Sequence, residues 1–124
     1  MHKCLTYFLI SSEKTFNAEK LTEILALDKR VIGKVTEKSI EIGRCETYDV
    51  NINNMIRSSI KVLLGKEDTL LELKAKYNLT FYLAKVINLD NSCNEPMPIL
   101  GLEADVIEFL YKTKTIDDLD YYLY

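Results

Sequence analysis

Cys4-Leu5-Thr6-Tyr7-Phe8-Leu9-Ile10 is the stretch whose reading decides the fold. Successive side chains of a strand point to opposite faces, so Leu5, Tyr7 and Leu9 share one face and Cys4, Phe8 and Ile10 the other. Both sets are apolar. That pattern suits a central strand covered on both sides, or covered on one side and aromatic on the other. The stretch is too short for a membrane span and leads into Glu13-Lys14 without a small-residue cleavage site. It is read as a strand rather than a signal peptide.

Working outward, Asn17 offers a helix N-cap, with Phe16 and Leu21 at the staple positions. Ala18, Leu21, Ile24 and Leu25 repeat at helical spacing and predict a helix running to about Leu27. Gly33 is a turn signal in the charged residues 28–38. Ile40 and Ile42 alternate around Glu41, and Gly43-Arg44 is the expected turn of a short hairpin. Tyr48, Val50 and Ile52 then alternate with polar residues as a strand buried on one side.

Asn53 or Asn54 is expected to cap the next helix, whose stripe is Ile56, Ile60, Leu63 and Leu64, with Gly65 as its end. Asp68 is a candidate cap for a further helix through Leu70, Leu73 and Tyr77, closed by Asn78. Residues 79–89 read as a long strand, and Asp90 to Pro98 as the clearest loop. Ile99 to Leu102 is either a short strand or the entry to a last helix carrying Val106, Ile107 and Leu110. Leu119, Tyr121 and Leu123 then alternate with Asp118, Asp120, Tyr122 and Tyr124 as a closing strand.

Helices with one apolar stripe must bury it on something, and these strands supply a sheet. The expectation is one α+β domain over residues 1–124. It is a two-layer sandwich with a mostly antiparallel sheet of four or five strands and three or four helices. A chain of 124 residues buries enough surface to hold such a core without a disulfide or a structural metal.

Three segments resemble the bacterial domain-of-unknown-function 4279 family. Leu21-Thr22-Glu23-Ile24-Leu25-Ala26-Leu27 is similar to its first helix. Asp118-Leu119-Asp120-Tyr121-Tyr122 is similar to its closing strand, and Pro98-Ile99-Leu100-Gly101-Leu102 to its step before the last helix. The chain departs from the family pattern at Ala26, where glycine is usual, and at Tyr48, where tryptophan is common. The resemblance implies a small bacterial protein and brings no known activity.

Composition narrows the function classes. The net charge is −3, with 10 Lys/Arg against 8 Asp/Glu in residues 1–62 and 6 against 11 in residues 63–124. A nucleic-acid binder needs a basic face to displace counterions, and the longest basic run is Lys29-Arg30, so no nucleic-acid partner is expected. Cys4, Cys45 and Cys93 are an odd set without a C-x-x-C spacing. They predict free thiols in a cytoplasmic protein, with Cys4 in the core. The one histidine, His2, shares a strand face with Cys4 but lacks a third, orienting group. It reads as an exposed residue outside any catalytic set. No cofactor, metal or catalytic residue is expected, because four isolated glycines make no phosphate loop and four clustered ligands for zinc are missing.

Asp117, Asp118 and Asp120 are the densest acidic group. Asp118 and Asp120 share a strand face about 7 Å apart. Two carboxylates there suit a hard metal or acid/base work, but a hard-metal site needs more oxygens. The plainer reading is charge that keeps a sheet edge from aggregating. Tyrosine is abundant at eight residues, and its ring with a hydroxyl suits half-wet interfaces. Leu119, Tyr121 and Leu123 are expected to anchor the closing strand to the core. Asp118, Asp120, Tyr122 and Tyr124 then form the candidate interaction surface for a basic protein.

The function expected by elimination is a non-enzymatic protein-binding module of the immunity or accessory type. The alternatives are a small-molecule enzyme, which would show a deep pocket with converging polar groups, and a structural homodimer, which would show a self-complementary patch.

Overall fold

A computed structural model describes residues 2–48, 52–92 and 101–123. The opening stretch is a strand, β1 (Lys3–Ser11), whose even-numbered residues are buried and whose odd-numbered residues are half-buried. Cys4, Thr6, Phe8 and Ile10 therefore define the inner face. The helices cover that face only, so the apolar odd set belongs to an open face.

Asn17 caps α1 (Ala18–Ile24) by accepting from the Lys20 N–H at 3.0 Å. The helix is shorter than the periodicity predicts, because Ala26 takes a left-handed φ of 53° and turns the chain. A single 3₁₀ turn leads into β2 (Ile32–Thr36), which hairpins with β3 (Ser39–Thr47). The hairpin turns at Glu37-Lys38, not at Gly43-Arg44. Gly43 sits inside β3 at a bulge that shifts the register between Thr6 and Phe8. Its φ is +69°, and a Cβ there would fall 2.1 Å from the Ser59 carbonyl oxygen. Only glycine permits that backbone contact.

Ser59 belongs to α2 (Asn53–Ile60), which crosses β1 and β3 on the inner face. The Ser59 and Thr6 hydroxyls meet at 2.6 Å, which satisfies two polar groups inside the core. Neither asparagine caps α2: Ile52 holds the N-cap position, and the Asn53 side-chain oxygen instead accepts from the Gly101 N–H at 3.2 Å. Of the strand predicted around Tyr48, Val50 and Ile52, Tyr48 lies outside any strand and Ile52 is the N-cap of α2; residues 49–51 between them lie outside the described residues. α3 (Glu67–Tyr77) has Asp68 in its first turn rather than at the cap, and Asn78 closes it with a φ of 54°.

β4 (Thr80–Leu89) returns antiparallel to β1. The predicted loop after it is described only to Ser92; residues 93–98 lie outside the described residues, as do Ile99 and Leu100, and Leu102 is not in a strand. α4 (Ala104–Thr113) then crosses over to β5 (Ile116–Leu123), which runs parallel to β4. A parallel neighbour needs such a crossover, whereas an antiparallel one does not.

The sheet order is β2-β3-β1-β4-β5, mixed and mostly antiparallel, which makes an α+β fold with an open sheet. Phe8 sits at the centre of the core, with ring centroids 5.5 Å from Phe81 and 6.0 Å from Phe109. Leu21 of α1, Ile56 and Ile60 of α2, Leu70 and Leu73 of α3, and Val106 and Phe109 of α4 complete it. Cys4 is buried there as a free thiol, and burial pushes its pKa up; Cys45 is free and partly exposed. Cys93 lies outside the described residues.

His2 is buried, contrary to its expected exposure. Its Nδ1 accepts from the Asp90 N–H at 3.0 Å, which ties the start of β1 to the end of β4. Among the described residues no helix is long and apolar enough to cross a membrane.

Candidate functional site

The site is built on β5, which pairs on one side with β4 and is the outer strand of the described sheet. Lys114 ends α4 with a left-handed φ of 55°, and the Thr113 and Thr115 hydroxyls meet at 2.7 Å across the turn. Residues paired across neighbouring strands share a face. Asp117 pairs with Leu83, Leu119 with Lys85, Tyr121 with Ile87 and Leu123 with Leu89, so these four lie on the helix side of the sheet. Ile116, Asp118, Asp120 and Tyr122 lie on the open face, beside Tyr82, Ala84, Val86 and Asn88.

The helix side of β5 is not core. Leu119 is 37% exposed, Tyr121 49% and Leu123 68%, so the expectation that they anchor the strand is corrected. The helices stop covering the sheet before its last strand. Its side-chain tie to the sheet, beside the backbone ladder with β4, is polar: Lys85 Nζ meets Asp117 Oδ1 at 2.7 Å, with the lysine side chain only 6% exposed and the aspartate 45%. Lys85 lies inside an apolar strand, beside Thr6 on the inner face. Asp117 thus leaves the acidic trio that the sequence suggests, and Asp118 and Asp120 remain together on the open face.

α4 contributes a second surface. Its buried stripe is Val106, Phe109, Leu110 and Thr113. Ile107, expected in that stripe, is half-exposed, and Tyr111 one turn later is 86% exposed. Both sit on one flank of α4. Together with Leu102, Leu110 and Asp117 they line an apolar groove of about 430 Å³ between α4 and the start of β5.

On the open face, Asp118, Asp120 and Tyr122 are exposed; Tyr124 lies outside the described residues. Tyr7, across Ala84 from Asp118, completes the patch. Its phenol pKa is raised by partial burial first, then by the Glu41 carboxylate, with Asp118 and Asp120 adding to the effect and Arg44 opposing it. The Arg44 guanidinium lies 5.9 Å from the Tyr7 ring centroid and pairs with Glu41 at 3.0 Å and Glu46 at 3.6 Å. Lys3 pairs with Glu46 at 3.5 Å. The cations of β1 and β3 are thus matched by carboxylates, whereas Asp118 and Asp120 make no ion pair among the described residues. The open face is balanced at its β3 side and negative at its β5 side.

Among the described residues no group of three or more His, Cys, Asp or Glu is placed to hold a metal. Sequence reasoning missed Lys85, Tyr7 and the Ile107–Tyr111 flank. The i, i+4 spacing of Ile107 and Tyr111 was the available signal for the flank; nothing local marks Lys85 as buried. No family model, curated protein or solved structure matches the chain.

Proposed function

We propose that the chain is a non-enzymatic protein-binding module of the immunity or accessory type, acting in the cytoplasm, that docks a basic protein on the β5 side of its sheet. One observation carries the reading: Asp118, Asp120 and Tyr122 stand exposed side by side on an outer strand whose opposite face, Leu119, Tyr121 and Leu123, is exposed as well. Exposed apolar side chains gathered on one face of an outer strand offer a contact surface for a partner. The two carboxylates add long-range attraction for a cationic partner, and the phenols add flat amphipathic contact area.

The test is comparative capture followed by mapping. The chain and its Asp118→Asn/Asp120→Asn/Tyr122→Ala variant are used as bait. The expected result is a basic protein retained by the first and lost by the second, with binding that weakens steeply as salt rises. Hydrogen exchange of the purified complex then has to slow the amides of β5. Protection confined to other elements, or capture that the triple variant leaves intact, refutes the reading.

A further inference from the structure

We infer that the partner docks by adding a strand to the edge of β5 that no strand among the described residues covers, and that the segment it inserts alternates Lys or Arg with aliphatic or aromatic residues. The inference deepens the reading that β5 is the docking surface and rests on it. An outer strand presents a row of backbone N–H and C=O groups with no partner on its outer side, and an extended segment can pair with them. β5 pairs with β4 along its whole length, from Tyr82 opposite Ile116 to Leu89 opposite Leu123, so its backbone is held in strand geometry.

The two faces of that edge differ in chemistry. The open face offers Asp118, Asp120 and Tyr122; the helix side offers Leu119, Tyr121 and Leu123, and the groove lined by Ile107 and Tyr111 of α4 meets β5 at Asp117. A strand added alongside has the same period of two, and its residues face the same two sides. The complement of β5 is therefore basic at one set of alternate positions and apolar at the other. The basic set faces the two aspartates, and the apolar set covers the leucines and reaches toward the groove beside α4. Opposite charges across neighbouring strands stabilise a pairing, and like charges destabilise it.

The same rule selects against a second copy of the chain. Twofold antiparallel pairing of β5 with itself, with both helix layers on one side, is centred on a residue. Centred on Leu119, it sets Asp118 opposite Asp120 of the second copy. Centred on Asp120, it sets that residue opposite itself. Both registers that use nearly all of β5 place carboxylate against carboxylate.

Three synthetic peptides test the inference with the full chain. The first alternates Lys and Val over nine residues. The second has the same composition in two blocks. The third is the alternating peptide methylated on every backbone nitrogen, which keeps charge and apolar surface but cannot pair as a strand. Amide shifts and hydrogen exchange report binding residue by residue. The alternating peptide is expected to bind, to slow exchange along β5, and to bind about tenfold more weakly to Asp118→Asn/Asp120→Asn. The block and methylated peptides are expected to bind at least about tenfold more weakly than the first. Equal binding of all three, still lost in the aspartate variant, overturns strand addition and leaves the acidic docking surface standing. Binding of none of them overturns both readings. A dimer that the alternating peptide does not dissociate places a second copy on the edge and overturns the inference too.

Discussion

Cys4, Thr6, Phe8 and Ile10 of β1 are fully buried, whereas Leu119, Tyr121 and Leu123 of β5 alternate with the same period and stay open to solvent. Both sets lie on the helix side of one sheet. The difference is position: β1 is the central strand, with β3 and β4 on either side, and four helices share the face above it. β5 lies one strand beyond β4, at the outer edge. Alternation defines a face, but neighbours decide whether that face is covered.

The comparison breaks most sharply through truncation of an aromatic ring at each place. Phe8→Ala removes a fully buried ring and should cost about 3–5 kcal/mol of unfolding free energy. Tyr121→Ala removes a half-exposed ring and should cost about 1 kcal/mol or less. Urea denaturation of both variants measures the gap. Equal losses show that β5 is covered in solution and remove the exposed surface from the proposal.

A second test concerns what holds each strand in place. Beyond its backbone pairing, β1 is held by apolar packing, whereas β5 has, beyond its pairing with β4, the Lys85–Asp117 pair, which is lopsided in burial. Asp117→Ala leaves a buried ammonium without its partner and should cost about 3 kcal/mol. Lys85→Met leaves an aspartate already half in water, fills the same space with an apolar chain, and should cost about 1 kcal/mol or less. Denaturation midpoints decide the order, and a costlier lysine substitution contradicts this account of the anchor.

The smallest effect links the two strands across the open face. Asp118 and Asp120 of β5 help to raise the phenol pKa of Tyr7 on β1. Asp118→Asn/Asp120→Asn should therefore lower that pKa part of the way toward its ordinary value, with Tyr7→Phe assigning the transition in an ultraviolet titration. The sign for stability follows from the raised value. The contribution of Tyr7 is whole below the ordinary tyrosine pKa of about 10 and is lost as pH rises through the folded-state pKa. An unchanged Tyr7 transition in the aspartate variant shows that the two strands do not interact electrically.

Much of the fold was legible. The strands at both ends of the chain, the long run over residues 79–89, the Asn17 cap and the Asn78 stop all follow from local chemistry, and the structure has each of them. The misreadings share one cause. Gly43 looks like a turn residue, yet it is a bulge demanded by the Ser59 backbone of a helix that follows later in the chain. His2 looks like a stray polar residue, yet the amide of Asp90 closes on it. Asp117 looks like one of three surface acids, yet a lysine from the neighbouring strand claims it.

By itself the sequence determined β1, β4, β5 and the approximate places of the helices, because those choices depend on spacing, caps and turn residues within a few positions of one another; β2 (Ile32–Thr36) and its hairpin with β3 it did not. It also determined which side chains share a face of β5. Only the tertiary structure decided which of those faces meets water. Burial is set by the strand order and by where the helix layer ends, and both arise from contacts between residues far apart in the chain. That is why Asp118, Asp120 and Tyr122 could be named as a surface from the sequence, while the exposure of Leu119, Tyr121 and Leu123 behind them could not.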